Sequence, residues 1–401
     1  MNIRVLIAAA VLLPLLSVGL VVIPGKAAER WREMTEWADR TELEWEARDF
    51  TRTPLTGEAT AGSAFDSYLR AIDEAGELSQ KDAPLLRDLR LHPERVSPED
   101  ADAFDARWQS PIGRMRGGAH CADARPRIRW KQGIGANQVL LLPARDLVNA
   151  CVIAARRHSH FDEQGAAVDL LIDAATFATD LQQSPIVIDQ MIASSLLAIV
   201  VMEAFGEDML ARIPQRDLER LARALELLDE RCRPAFDGRG EALLLANTLR
   251  KGAVGEPPTA EVADAATTSW HYGWSKRWAA ADSVMMLVDA CEALLQGAAL
   301  PWRQREELLN THRTKLSQQG GVLLVGWSET MLGAERTLRI ARTHLRLLRM
   351  AVEFRRTGTA LPLQDPFGDD LLQQAPRAGG ARFWSCGGTE SQPLERTTQR
   401  R

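Results

Sequence analysis

The chain has 401 residues, of which 45% are hydrophobic and 26% are charged, as is typical of a globular protein with a sizeable core. The formal net charge of -5 argues against nucleic acid as a partner. At about 150 residues per domain, the length predicts two or three domains or one extended helical array.

The first residues predict a membrane anchor. After Arg4, residues 5–23 form an uncharged apolar run of roughly 19 residues, which lies within the length that crosses a bilayer. Lys26 stands where a cleavage site needs a small residue. We therefore expect residues 1–25 to be an uncleaved signal-anchor that crosses the bacterial inner membrane once, with the body in the periplasm. A protein secreted after signal cleavage and a buried core helix are the alternatives.

A juxtamembrane helix and a linker are predicted next, over residues 26–62. The helix carries apolar residues at helical spacing, namely Trp31, Met34, Trp37 and Trp45. Residues 51–62 are rich in Thr, Pro and Gly, which is typical of a linker.

The body, residues 63–357, shows helical patterns separated by turn signals. Ser63 and Ser97 each stand where a helix N-cap is needed, whereas residues 118–137 predict an irregular or extended segment. The further helices are expected at 139–158, 163–182, 185–206, 215–232, 239–251, 262–297, 302–318 and 322–357. No strand is expected before residue 360, so the fold class is all-α, as an irregular or solenoid-like stack of antiparallel helices.

The segment 185–206 is apolar nearly all round, which predicts a helix buried on most sides. Asp189, Gln190 and Glu203 interrupt the run and argue against a second membrane span.

The five cysteines include no Cys-x-x-Cys pair, which excludes a zinc ribbon or a thioredoxin-like motif. An odd number leaves at least one thiol free in an exported protein, and the pairing cannot be deduced from the sequence. The cysteines are Cys121, Cys151, Cys232, Cys291 and Cys386.

Catalytic motifs are weak. Ser328 in "VGWSET" resembles a nucleophile elbow, but Thr330 replaces the second glycine and no parallel sheet precedes it. His158 and His160, beside Asp162 and Glu163, are weak candidates for a metal or acid–base site at a helix end. No catalytic residue and no cofactor is assigned.

Two surfaces are candidates for partner binding. Trp270, Trp274 and Trp278 recur every four residues and form a ridge that predicts either core or a partner groove. Four arginines line one face of the last helix, opposite an apolar face that contains His344 as an expected core residue. Either neighbouring acids pair with them on a solvated face, or they bind anionic lipid or an acidic partner. They are Arg339, Arg342, Arg346 and Arg349.

The last helix is expected to end at Gly358, because glycine tolerates the left-handed conformation of a C′ residue. "DPFG" then predicts a turn, and residues 371–385 predict two short strands of a β-hairpin. Phe367, Phe383 and Trp384 are expected to pack this hairpin on the helical body.

This tail, with Leu-Pro-x-x-Asp-Pro-Phe-Gly and then Phe-Trp-Ser-x-Gly-Gly, is similar to the C-terminal half of major pseudopilins of type II secretion systems. "GSAFDSYLRAI" and "MRGGAHCADARPRIRW" make the wider chain look like a group of uncharacterised bacterial membrane-anchored helical proteins with the same tail. The resemblance implies calcium binding by acids, but the final loop supplies only Glu390. The remaining weak candidates for a cation are Asp365, Asp369 and Asp370.

From these patterns we expect a non-catalytic, membrane-anchored scaffold or binding protein of the cell envelope, with residues 358–401 as a pseudopilin-like hairpin and tail. Its expected partners are the lipid bilayer, through residues 5–23, and another envelope protein. The alternatives are a metal-assisted or acid–base hydrolase of the periplasm and an accessory protein of a secretion system.

Overall fold

The computed structural model describes residues 26, 28–131, 141–205, 207–253, 273–319, 322–368, 370–377, 380–385 and 395–399. The fold is mostly helical, at 74%, with a small antiparallel three-stranded sheet at the C-terminus. The predicted class, helical with a small C-terminal β element, is therefore confirmed. The predicted anchor, residues 5–23, lies outside the described residues. In the described ranges, we find no helix with the length and apolar character needed to cross a membrane.

The helices are α1 (28–47), α2 (Ala64–Leu91), α3 (Pro98–His120), α4 (Leu141–His160), α5 (Gln164–Leu181), α6 (Val187–Ile199), α7 (Glu207–Arg212), α8 (Gln215–Arg231), α9 (Arg239–Ala253), α10 (Gly273–Gln296), α11 (Trp302–Gln319) and α12 (Val322–Thr357). The strands are β1 (Thr60–Ser63), β2 (Cys121–Asp123), β3 (Gln373–Arg377), β4 (Gly380–Trp384) and β5 (Glu395–Gln399).

Local sequence signals account for three helix ends. Ser63 and Ser97 accept hydrogen bonds from the backbone N–H groups of Asp66 and Asp100, so both predicted N-caps are confirmed. At the other end of the body, Gly358 has a φ of 81° and closes α12. The predicted helix 185–206 is divided, because α6 passes into a π-helical turn, Val200–Ala204, and α7 follows it.

Most of the chain packs into a first core, formed by α2 to α8, the second half of α12 and the C-terminal sheet. α5 is the most enclosed of these helices, since every residue from Leu170 to Leu181 is buried. α6 is also buried along most of its length, as its apolar pattern predicted, although Ile188 and Ser195 are exposed.

A second core joins α1, α9, α10, α11 and the first half of α12. Met34, Trp37 and Ala38 of α1 are buried in it, so the helix predicted within residues 26–62 is part of the body's packing. α12 connects the two cores: Met331 lies in the second core, and Leu345 lies in the first.

The segment 51–62, expected as a linker, is held against the body. Arg52 donates to Asp180 Oδ2 on α5 at 2.7 Å, and Thr56 donates to Asp173 Oδ1 on the same helix. Arg231 also donates to the carbonyl oxygen of Thr53 at 2.6 Å. The composition rich in Thr, Pro and Gly therefore indicates an irregular backbone, but this segment is bonded to the helical body and does not act as a loose linker.

The strands show two errors of the sequence interpretation. β1 and β2 form a parallel pair well before residue 360, and neither is long enough to show alternation. At the C-terminus, β3 and β4 form the predicted hairpin, but the polar β5 adds a third strand beside β4. Phe383 is fully buried against Phe354, with a centroid distance of 5.9 Å, so its predicted packing on the body is confirmed.

Candidate ligand pocket

A cavity of about 670 Å³ lies beside the second core, to which its lining residues Trp130 and Leu243 belong. Its walls come from the end of α1, Trp130, the α5–α6 connection, the loop between α8 and α9, the start of α9 and the end of α10. The residues that line it are Thr41, Glu44, Trp45, Ala47, Arg48, Trp130, Pro185, Arg233, Pro234, Ala235, Asp237, Arg239, Gly240, Leu243, Leu295 and Ala298.

The polar wall is built on one buried carboxylate. Asp237 accepts hydrogen bonds from the Arg239 backbone N–H at 3.1 Å and from the Arg239 guanidinium, and Arg233 Nη1 approaches it at 3.4 Å. Burial acts to raise the pKa of Asp237, but the two arginines outweigh it and the pKa is lowered. Asp237 therefore fixes both guanidinium groups at the wall of the cavity.

Arg233 is 7% exposed and is held at both ends of its guanidinium group. Besides Asp237, it contacts the carbonyl oxygen of Gln183 through Nη2 at 2.9 Å. Burial lowers the pKa of Arg233 to about 10, against the opposing effect of Asp237. At neutral pH the side chain therefore carries its charge into the cavity wall.

The aromatic wall contains Trp45 and Trp130, which meet edge to face with a centroid distance of 6.1 Å. The guanidinium carbon of Arg48 lies 5.4 Å from the Trp45 ring centroid and 5.2 Å from that of Phe50. These distances are within the range of cation–π interactions. The cavity thus combines flat apolar surface with cationic groups.

The start of α9 reaches the cavity because residue 240 is glycine. A Cβ atom at Gly240 would lie 2.3 Å from the carbonyl oxygen of Pro185, closer than atoms can pack. Any side chain here would push α9 away from the α5–α6 connection.

Sequence reasoning did not identify this pocket. In the sequence, Asp237 falls between the helices expected at 215–232 and 239–251, and Trp45 belongs to the apolar face of a predicted helix. A usable signal was present in "RCRPAFDGRGE", where three arginines surround Asp237 in a segment without regular pattern.

The arginines predicted as a partner surface on α12 are engaged within the chain. Arg342, Arg346 and Arg349 all donate to the carboxylate of Asp229 on α8, at 3.0, 3.1 and 2.5 Å. The predicted pairing of these arginines with a neighbouring acid is confirmed. The prediction that they form a solvated face is wrong, because their side chains are only 11 to 21% exposed.

Arg339 is buried in a separate network in the second core. It donates to Glu335 at 2.9 Å, and Glu335 also pairs with the fully buried Arg305 at 3.2 Å. Arg339 further packs on the Trp302 ring, with its guanidinium carbon 5.1 Å from the centroid. It therefore joins α11 and α12, and its side chain is 9% exposed.

The side chains of the predicted tryptophan ridge lie outside the described part of the chain. Trp270 lies outside the described residues. Trp274 and Trp278 lie on the backbone of α10, and their side chains lie outside the described part. A partner site at these residues stays a prediction.

The described metal candidates make contacts of other kinds. His158 Nδ1 lies 2.6 Å from Glu163 Oε2, and His160 packs edge to face on Phe161. Asp365 accepts from the Phe367 N–H and from Ser385 Oγ, Asp370 is exposed, and Asp369 lies outside the described residues. Among the residues that the structure describes, no group of three or more His, Cys, Asp and Glu side chains is arranged to hold a metal ion.

The other residues that could act as a nucleophile or a base lie in positions that favour a structural role. Ser328 lies within the backbone of α12, in a continuous helix rather than a strand-to-helix turn. His344 is buried in the first core, and burial lowers its pKa to about 4. The four described cysteines are buried free thiols, and burial raises the pKa of Cys232 to about 12, which disfavours the reactive thiolate.

A second polar cluster lies where the segment 51–62 meets α5. His120 Nε2 lies 2.9 Å from Thr56 Oγ1 and 3.3 Å from Asp173 Oδ1, while Arg116 donates to the other oxygen of Asp173 at 2.9 Å. Both the hydroxyl and the carboxylate contact the same nitrogen of His120, whereas a catalytic triad places them on opposite nitrogens. The cluster therefore fixes the segment on α5.

Comparisons with known proteins returned no matching protein-family model, curated protein or solved structure.

Proposed function

We propose that this protein is a non-catalytic binding protein, anchored in the bacterial inner membrane by residues 5–23 with its body in the periplasm, and that the cavity beside Trp45 and Arg233 is its ligand site. The observation that carries the ligand site is the cavity itself, whose volume of about 670 Å³ lies within the range of small-molecule sites. The anchor rests on the amino-terminal sequence pattern.

The walls support a preformed site. Asp237 holds Arg233 and Arg239 in place, and Arg233 is tied to Gln183 as well. α1 is fixed by its buried residues Met34 and Trp37. Binding to a pocket with fixed walls costs little free energy, because few side chains have to become ordered when the ligand enters.

The chemistry of the lining residues favours binding over catalysis. Among the described residues that line the cavity there is no His, Cys or Ser, and Thr41 supplies the one hydroxyl group. The charged groups are arginines and two acids, which orient a ligand by charge and by hydrogen bonds.

Native mass spectrometry of the full chain, purified in detergent, tests this proposal. Ala298→Trp fills the cavity from its lining, and Ala106→Trp on the exposed side of α3 is the matched control. We expect the wild-type protein and Ala106→Trp to carry a bound small molecule that Ala298→Trp lacks. Equal occupancy in the three proteins, or an empty wild-type protein, would contradict a ligand site here.

The secretion-accessory role is a second proposal, which rests only on the pseudopilin-like tail. It predicts that major pseudopilins co-purify with the full chain from detergent-solubilised membranes and are lost when residues 358–401 are deleted. A chain that copurifies with none of them would contradict the proposal. Neither the cluster around His158 nor the cluster around His120 supplies an observation that favours a hydrolase.

A further inference from the structure

The outward side of α6 and of the π-helical turn after it carries an uncharged stripe. Ile188 and Met202 are 41% and 53% exposed, Ser195 is exposed, and Met191 and Ile199 are half-buried. At the helical angle of about 100° per residue, these five side chains fall within about 100° of arc and form one line along the helix. We call these five residues the α6 stripe.

The α6 stripe can be covered without leaving a polar group or a charge unpaired. Its one polar side chain, Ser195, donates to the carbonyl oxygen of Met191 at 3.0 Å. Between residues 187 and 202 the sequence has no Lys or Arg, and its one acid, Asp189, is buried and accepts from Ser184 Oγ at 2.7 Å. Because an unpaired charge is costly to bury, a surface that covers the stripe must itself be uncharged.

The α6 stripe is symmetric about its centre. Met191 and Ile199 lie four residues before and after Ser195, and Ile188 and Met202 lie seven residues before and after it. In an antiparallel pair of α6 helices that crosses at Ser195, Ile188 faces Met202 of the other copy, and Met191 faces Ile199. The small serines then meet where the helices approach most closely. A surface that matches itself in this way is the pattern of an isologous twofold contact.

The lipid bilayer is a poorer match for the α6 stripe than a second copy. Helices that lie in the membrane interface typically carry Lys and Arg beside their apolar face. Residues 187–202 contain neither. A charged protein surface is excluded as well, because the stripe offers no group that would pair with the charge.

We propose that the α6 stripe is the contact between two copies of this chain, which pack antiparallel about a twofold axis at Ser195. One helix pair of this length buries less than the about 800 Å² per partner that is usual for a stable interface, so the contact is weak by itself. The membrane anchor proposed above would hold both copies in one membrane, which raises their effective concentration and favours the pair.

Disulfide cross-linking in intact cells that express the full chain tests the twofold contact. Ser195→Cys places a thiol at the axis, and Ser110→Cys, at an exposed position of α3, is the matched control. Under mild oxidation we expect at least about tenfold more linked dimer from Ser195→Cys than from Ser110→Cys or wild type, because a disulfide needs Cβ atoms about 4 Å apart.

An exchange of charge in the Ser195→Cys protein tests the antiparallel register. Ile188→Glu places an unpaired carboxylate against Met202 of the other copy, so the yield of linked dimer should fall about tenfold. Ile188→Glu combined with Met202→Lys should restore the yield, since opposite charges then face each other at both ends of the stripe. Leu142→Glu, at an exposed apolar position of α4, is the control and should leave the yield unchanged.

Each outcome decides for or against the proposal. A Ser195→Cys yield no greater than that of Ser110→Cys would overturn it, and so would a yield that Ile188→Glu leaves unchanged. If Met202→Lys deepens the defect of Ile188→Glu, like charges face each other, and the antiparallel twofold contact is wrong. Ile188 and Met202 are exposed, so thermal unfolding of each variant should match wild type, and the Ser195→Cys result does not depend on the charged variants.

Discussion

Asp180 on α5 and Asp229 on α8 are both buried aspartates paired with arginine, yet their pKa values move in opposite directions. Burial raises the pKa of Asp180, and the opposing effects of Arg52 and Tyr68 do not offset it. At Asp229, burial also acts to raise the pKa, but Arg346 and Arg342 with Arg349 outweigh it and the pKa is lowered. The two sites therefore differ in how many cations meet one carboxylate.

The same relation holds elsewhere in the described structure. Burial raises the pKa of Asp105 despite Arg157, and that of Asp169 despite Arg220. Asp237, with two bonded arginines, has a lowered pKa. Among these five aspartates, the pKa is raised where one arginine is bonded and lowered where two or three are bonded.

The two arrangements serve different structural purposes. Asp180 holds the segment 51–62 to the first core through Arg52, and the bond from Tyr68 Oη at 2.6 Å orients its carboxylate. Asp229 holds α12 to α8 by gathering three arginines from successive turns of one helix face. Asp229 is therefore the shared counter-ion of all three arginines.

The largest effect is expected from Asp229→Asn. The substitution keeps the shape of the side chain but leaves three largely buried guanidinium groups without their counter-ion, so the free energy of unfolding should fall by about 3–5 kcal/mol at pH 7. Urea unfolding of the full chain measures it. Glu226→Gln is the matched control, since Glu226 is exposed and lies 3.7 Å from Arg349; it should change stability by less than about 0.5 kcal/mol.

The pH dependence of this difference follows from the lowered pKa of Asp229. In the unfolded chain the group takes up its proton near pH 3.9, and in the folded protein it does so only at lower pH. Its contribution is therefore present above about pH 4 and is lost as the pH falls through the folded-state pKa. A difference between wild type and Asp229→Asn that stays constant from pH 7 to pH 3 would contradict the assignment.

A smaller loss is expected from Asp180→Asn. The amide oxygen can still accept from Tyr68, and Arg52 keeps its bonds to the carbonyl oxygens of Gly118 and Ala119. The free energy of unfolding at pH 7 should fall by roughly 1–3 kcal/mol, because part of the lost attraction is offset by removing a buried charge. Asp73→Asn, at an exposed position, is the control. If Asp180→Asn lost more stability than Asp229→Asn, the proposed difference between the two sites would be wrong.

Local signals predicted the helices well. The caps at Ser63 and Ser97, the end of α12 at Gly358 and the turn at Asp365 each depend on neighbours within a few residues, and the structure confirms all four. The short strands β1, β2 and β5 depend instead on distant partners, so their few residues carry no pattern of their own.

The buried charge networks could not be predicted for the same reason. Asp229 meets Arg349 across 120 positions of the chain, and Arg52 meets Asp180 across 128. A row of arginines on one helix face looks the same in sequence whether it faces water or a buried carboxylate. The pocket likewise brings together Trp45 of α1 and Leu295 of α10, which are far apart in the sequence.

Glu241 on α9 extends the comparison to a carboxylate with no bonded arginine. It accepts from the Val187 N–H at 2.9 Å, at the start of α6, and burial raises its pKa to about 7, with Asp189 adding to the rise. Asp189 on α6 is the charged group that acts on the pKa of Glu241. Glu241 in turn helps to raise the pKa of Cys291 on α10, which Asp237 and Glu292 also raise and Arg239 lowers.

Because the folded-state pKa of Glu241 is raised, its favourable contribution is present below the unfolded value near pH 4.3 and is lost as the pH rises through about 7. Glu241→Gln keeps an oxygen for the Val187 N–H and cannot ionise. Its free energy of unfolding should therefore match wild type near pH 4 and exceed it by about 1–2 kcal/mol at pH 8. Urea unfolding across this range, with the exposed Glu219→Gln as control, measures the gain, and a variant less stable than wild type at pH 8 would show that the ionised carboxylate stabilises the α6–α9 contact.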